Sequence, residues 1–183
     1  ISPIGQKETH KFLSALNDFY RTSRFNDFFN THTDIYELGL QVFNDSVMAH
    51  FDQEWYTRFY GTPPAEQFRI IIGFTNGPCN YGPSRKLTGQ PKEVFAIMNY
   101  AVDDNERPIF YKKVVETVVH EFCHSFTKIK GDTEKALEKS GKALQEYTYF
   151  SMRRQAYSTW RNILEESLVR AATICYLIDH DYD

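Results

Sequence analysis

The run VVETVVHEFCHSF, residues 114–126, constrains the chain more than any other stretch. Val114, Val115, Val118, Val119, Phe122, Cys123 and Phe126 place apolar side chains round much of a helical surface. A helix of that kind is buried. The same run holds His120, Glu121 and His124. Burying two imidazoles and a carboxylate without partners costs several kcal/mol. The fold must therefore enclose this helix and also satisfy its polar stripe, and a bound cation would do the second.

The spacing says which cation. His120 and His124 stand at i and i+4, one turn apart on one face. Two imidazoles so placed can take adjacent tetrahedral positions on one Zn²⁺. Glu121, one residue round from His120, can reach a metal-held water without ligating the metal. This is the HExxH arrangement, two ligands and a general base on one helix. The pattern is short, and chance matches bind nothing. Its buried helical setting favours zinc here.

Around that helix the texture divides the chain into helices, a small sheet, then helices. Apolar spacing predicts helices over residues 6–20, 33–49 and 51–60, the last stopped by Gly61, Pro63 and Pro64, with a short helical or turn segment over 24–30. FRIIIGF, 68–74, reads as a buried strand and EVFAIMNY, 93–100, as a second. Between them, 75–91 is a Gly/Pro loop carrying Asn76, Asn80 and Tyr81. A helix is expected from about Pro108 to Lys128, with proline in its first turn. A polar helix over 133–150 and a long final helix over 153–178 follow. The fold class is α+β, with a helical C-terminal half. A single domain, 1–183, is expected, with N-terminal helices to 66, the sheet and motif helix over 67–128, and C-terminal helices over 129–183.

A catalytic zinc needs a third protein ligand and one open position. A histidine six residues past His124 would supply it in one known pattern, but that position is Lys130. Asp132 lies in a polar break with no supporting motif. The segment NILEESLVRAA, 162–172, offers Glu165 and Glu166. Periodicity leaves both open. The apolar face of that helix centres on Leu164, Leu168, Ala171 and Cys175, and Glu165 lies slightly closer to it. A solvated surface position is the usual fate of either glutamate.

HEFCHSF followed some forty residues on by a tryptophan-bearing helix with EESLVRA resembles a zincin-like family of bacterial proteins described as DUF4932. FYRTSRFNDFFNTHTDIYE and the NYG at 80–82 are similar too, so the resemblance covers most of the chain. It implies a gluzincin arrangement with Glu166 as third ligand beside His120 and His124. It implies a zinc metallopeptidase acting on peptides or proteins, with Glu121 as general base. It also implies export, to the periplasm or cell surface. The missing initiator methionine fits a trimmed mature chain. Tyr147, Tyr149 and Tyr157 are candidate oxyanion donors, and nothing in the sequence selects one. Arg170, one turn beyond Glu166, suits either a carboxylate behind the metal or the surface. Residues 94–100 are expected as an exposed edge strand for an extended peptide.

Composition excludes more than it proposes. Net charge is −3 with no basic cluster, which gives a nucleic-acid partner little support. No window is long and apolar enough to span a bilayer. Cys79, Cys123 and Cys175 are an odd, widely spaced set and not a disulfide framework. His10, His32, His50 and His180 read as surface or capping residues, Trp55 and Trp160 as core. Three other readings stand beside the peptidase one: a peptide-binding module on the same scaffold without turnover, a helical interaction domain with a coincidental motif and no stoichiometric metal, and an amide hydrolase on a non-peptide substrate.

Overall fold

A computed structural model describes residues 5–77 and 79–182. They group into two compact units, one ending at Gln41 and one starting at Val42. The first holds helices α1 (Gln6–Thr22) and α2 (Phe25–Thr31) and the start of α3 (Thr33–Ser46). Arg24 breaks α1 from α2 in the left-handed region, at φ 53°. Neither α1 nor α2 contains a fully buried residue. Phe19, Tyr20, Phe25 and Phe28 instead cluster by their ring edges and faces.

The second unit begins in α3 and continues through a 3-10 turn, Met48–His50, to α4 (Glu54–Tyr60). Gly61, at φ 70°, ends α4, where a left-handed residue suits glycine. The sheet follows: β1 (Gln67–Ile72), β2 (Ser84–Arg85) and β3 (Glu93–Met98) in the order β1-β3-β2. β1 runs parallel to β3, with Gln67 opposite Glu93 and Ile72 opposite Met98. β2 runs antiparallel to β3. Glu93 is buried and ties the three strands together, accepting from Arg69 on β1 and from Arg85 on β2. A two-stranded ribbon, β4 (Ala101–Val102) and β5 (Pro108–Ile109), leads into helix α5 (Val114–Cys123). Helices α6 (Asp132–Arg154) and α7 (Trp160–Asp179) complete the unit.

Alternation on β3 buries Val94, Ala96 and Met98 towards α5. Phe68 of β1 stacks on Phe122 of α5, ring centroids 4.1 Å apart. Val115, Val118, Val119 and Cys123 continue that face of α5 into the core, which Val169, Ala172 and Tyr176 of α7 share. At α6 and α7, buried Gly141 leaves room for the indole of Trp160, on which a Cβ would collide. Trp55 is core as expected, whereas Trp160 is half-buried in this helix contact.

The α+β class, the small sheet and the helical C-terminal half are as the sequence predicts. Several boundaries differ. Pro108 and Ile109 pair with β4 instead of opening a helix, so α5 starts at Val114. The final helix does not reach back to residue 153. Ala156 stands at φ 70°, and the Thr159 hydroxyl accepts from Asn162 N–H to cap α7 afresh. β3 is the central strand, not an edge, because residues 81–85 of the Gly/Pro loop lie along its outer side.

Candidate metal centre

His120 lies in the last turn of α5, and His124 immediately follows the helix with helical backbone angles. The chain tightens there, with Ser125 N–H donating to Phe122 C=O and Phe126 N–H to Cys123 C=O. The two rings therefore stay on one face, centroids 5.1 Å apart and nearly perpendicular. Opposite them stands Glu166 of α7, only 2% exposed. Its Oε1 lies 3.7 Å from His120 Nε2 and its Oε2 3.7 Å from His124 Nε2. Ligand atoms of all three residues fall within 4.8 Å of one another.

The structure separates the two glutamates that periodicity leaves open. Glu165 accepts from the Ile129 main-chain N–H at 2.9 Å and faces Lys128 Nζ at 3.3 Å, pinning the segment before α6. Glu166 points the other way, at the histidines. The buried stripe of α7 is Ile163, Glu166, Val169, Ala172, Thr173 and Tyr176. The apolar face read from the sequence was misplaced, since Leu168 and Ala171 are exposed. Large apolar residues mark the inside of a helix only where the core receives them.

Glu166 is also oriented. Arg170 Nε donates to its Oε1 at 2.7 Å, and Arg170 Nη2 donates to Gln155 Oε1 at 2.8 Å. Glu166 Oε2 is buried and has no hydrogen-bond partner. A separation of 3.7 Å from the imidazole is too long for one. Burial holds the His120 imidazole below its ordinary range, the Glu166 charge pushing back. Burial, helped by His120, lowers His124 to about 4. Both rings are thus neutral at neutral pH, and among the described residues Arg170 is the cation that pairs with the buried carboxylate.

Three residues complete the surroundings. Burial raises the Glu121 carboxyl, and the Glu166 charge raises it further. Burial likewise raises the Tyr157 phenol, with Glu166 next in effect and Glu121 contributing. The Tyr157 ring lies 5.9 Å from the Arg170 guanidinium. Of the three tyrosines weighed from sequence, only Tyr157 is so placed. Tyr147 is 91% exposed, and Tyr149 accepts from Arg153 on the exposed side of α6. The third is Gly82, which sequence reasoning passed over. A Cβ there would land on Glu121 Oε2. Its signal was the small residue closing NYG beside a strand, where close backbone approach demands glycine.

The segment bearing Gly82 is the sheet's free margin. Tyr81 exchanges both main-chain hydrogen bonds with Ile97, at 3.0 and 2.8 Å, and Pro83 C=O accepts from Phe95 N–H. By strand alternation the N–H and C=O of Gly82 face outward, away from β3. An edge strand therefore does lie beside the motif helix, formed by 81–85.

The other histidines have separate settings. His180 Nδ1 bonds to Tyr176 C=O and its Nε2 lies 3.2 Å from Asp52, while Asp179 accepts from Trp55 Nε1. His32 bonds to Phe28 C=O. Among the described residues, His120, His124 and Glu166 are the one group found that could hold a metal ion.

No curated protein and no solved structure matches the chain. A family model described as a domain of unknown function, DUF4932, matches residues 3–181. That match spans nearly the whole sequence, the histidine pair, Glu166 and the glycine beside Glu121 included, and the chain belongs to the DUF4932 family.

Proposed function

We propose that this protein is a zinc-dependent peptidase of gluzincin type. The observation that carries the reading is Glu166 Oε2, buried without a hydrogen bond and turned towards two neutral imidazoles. A buried carboxylate oxygen left so is costly unless a cation meets it. Ligand atoms round a tetrahedral zinc stand roughly 3.3 Å apart for bonds of about 2.0–2.1 Å. Glu166 Oε2 lies 3.7 Å from His124 Nε2, and ligand atoms of the three residues fall within 4.8 Å of one another, so closure on an ion needs a shift of about an ångström. Two nitrogens and one carboxylate oxygen suit zinc, and three protein ligands leave a position for chemistry.

Zinc held there supplies a Lewis acid that polarises a peptide carbonyl and acidifies water. The chain's own residues do the rest. Glu121 takes the proton of the attacking water and returns it to the leaving amine nitrogen. Its raised carboxyl suits that double role better than an ordinary glutamate. Tyr157 O–H, protonated at neutral pH as an ordinary phenol is, is the donor to the carbonyl oxygen as it gains charge. Arg170 occupies Glu166 Oε1 and so leaves Oε2 as the ligating atom. Gly82 offers an outward N–H and C=O to an extended peptide, giving affinity with little sequence preference.

The test is metal content and cleavage together. Zinc should bind at one ion per chain and be lost in His120→Ala and Glu166→Ala. Glu121→Gln should keep the ion and abolish cleavage of a peptide library. Zinc retained without Glu166, or turnover surviving Glu121→Gln, would overturn the assignment. Stoichiometric zinc with peptide binding and no turnover would favour the non-catalytic module.

A further inference from the structure

Next to the motif residues is a pocket of about 450 Å³ whose lining joins apolar Met98, Val114 and Tyr111 to polar side chains. Thr117, Glu116 and Lys113 of the α5 N-terminal half line one side of it, and Asn80 and Asn99 the other. Asn80 is fixed, its Oδ1 accepting from Asn99 N–H at 2.9 Å. That bond commits the Asn80 carbonyl and leaves its amide NH₂ as a donor. Among the described residues, neither Glu116 nor Lys113 is in an ion pair, although they stand one turn apart on the same helix.

The pocket's place follows from two repeats. Gly82 packs on Glu121. Two strand residues back is Asn80, roughly 6.6 Å along the edge. One helical turn back from Glu121 is Thr117, about 6 Å along the axis. Strand and helix keep step, so the Asn80–Thr117 pocket lies about 6 Å from Glu121, two residues along an extended substrate. Direction follows as well. A peptide pairing antiparallel to 80–85, the more stable pairing, runs from the Arg85 end towards Asn80. The residue approaching Asn80 is then on the C-terminal side of the bond opposite Glu121.

We infer that this pocket receives the side chain of the second substrate residue C-terminal to the cleaved bond and selects a basic one, Lys or Arg. The inference rests on the peptidase reading above. Glu116 is half-buried and unpaired, while Lys113 is exposed at the rim. Charge in the less solvated position is less screened, so the carboxylate outweighs the ammonium. The Thr117 hydroxyl and the Asn99 side-chain carbonyl are acceptors that a guanidinium or ammonium can use and an aliphatic side chain cannot. A leucine entering would strand the carboxylate and the amides without water.

The experiment uses the zinc-loaded full chain and peptides identical except at the second residue after the expected cleavage point, which is Arg, Lys, Leu or Glu. The specificity constant should favour Arg and Lys over Leu by about tenfold or more, the scale of one charge-assisted hydrogen bond. Glu116→Gln should collapse the Arg-to-Leu ratio, and Glu116→Lys should invert preference towards Glu. A preference for Leu, or an Arg-to-Leu ratio unmoved by Glu116→Gln, overturns the inference while leaving the peptidase intact. Failure of the zinc-loaded wild type to cut any peptide of a random library would instead remove the peptidase reading, and this inference with it.

Discussion

Arg170 is the side chain whose loss separates positioning from packing. It touches Glu166, Gln155 and the ring of Tyr157, and among the described residues no other Lys or Arg pairs with Glu166. Arg170→Met should weaken zinc binding by about 10–100-fold, the usual cost of removing a group behind a ligand. Arg170→Lys should restore part of it. Competitive chelator titration reads both, and a fall in metal-free melting temperature with unchanged zinc affinity would leave Arg170 a packing residue only. The histidines carry a pH signature. In the metal-free chain His124 titrates at about 4, far below the ordinary imidazole near 6.5, and His120 is shifted the same way. As pH falls through that window the unfolded chain takes up protons before the folded one, so stability is lost from about 6.5 down towards 4. Glu121 is shifted upward and opposes this in part. Thermal melts of the metal-free protein at pH 7 and pH 5 should show the loss, and His124→Asn should flatten it. Little of this was legible beforehand. Spacing paired the histidines, but it could not say which of two adjacent glutamates faces them, because a 100° step round a helix has no meaning until the helix is packed.

Between elements, two close approaches make sharp demands. Gly82 brings the edge segment against Glu121. Gly82→Val should abolish peptide cleavage by displacing that carboxylate, with zinc binding retained. Loss of zinc as well would mean the edge segment supports the ligands too. Gly141 brings α6 against α7 through Trp160. Valine there gains a few tenths of a kcal/mol of helix propensity over glycine, but overpacking costs about 1–3 kcal/mol. The clash wins, and the urea midpoint should fall. Adding Trp160→Leu should recover most of the loss. Neither contact was legible, since a glycine in sequence marks permissiveness and not what comes close to it. The misplaced edge strand has a similar origin. Residues 81–85 are rich in turn formers and carry no alternating pattern, yet main-chain hydrogen bonds to β3 order them regardless of side chain.

For the whole molecule, the proposed ligands come from α5 and α7, so an ion would join helices distant in sequence. Zinc at about 100 times its dissociation constant should stabilise the fold by roughly 2.7 kcal/mol. That is a rise of about 5–10 °C in melting temperature for a unit of this size. Calorimetry with zinc and with chelator measures it, and coincident melts would count against an ion bridging the two helices.

Much of this protein is written in local pattern. The helix–sheet–helix order, the buried character of 114–123 and the His120–Glu121–His124 stripe all follow from the period of apolar residues and from i, i+4 geometry. These are properties of neighbours along the chain. The rest belongs to contacts across it. Packing of α7 turned Glu166 inward and left Leu168 outside. A left-handed Ala156 and the Thr159 cap ended one helix and began another, which places Tyr157 in the turn between them beside Arg170. Hydrogen bonding to β3 made a turn-rich loop into the edge beside Glu121. Such contacts join residues far apart in sequence, and periodicity within one element has no access to the element it meets.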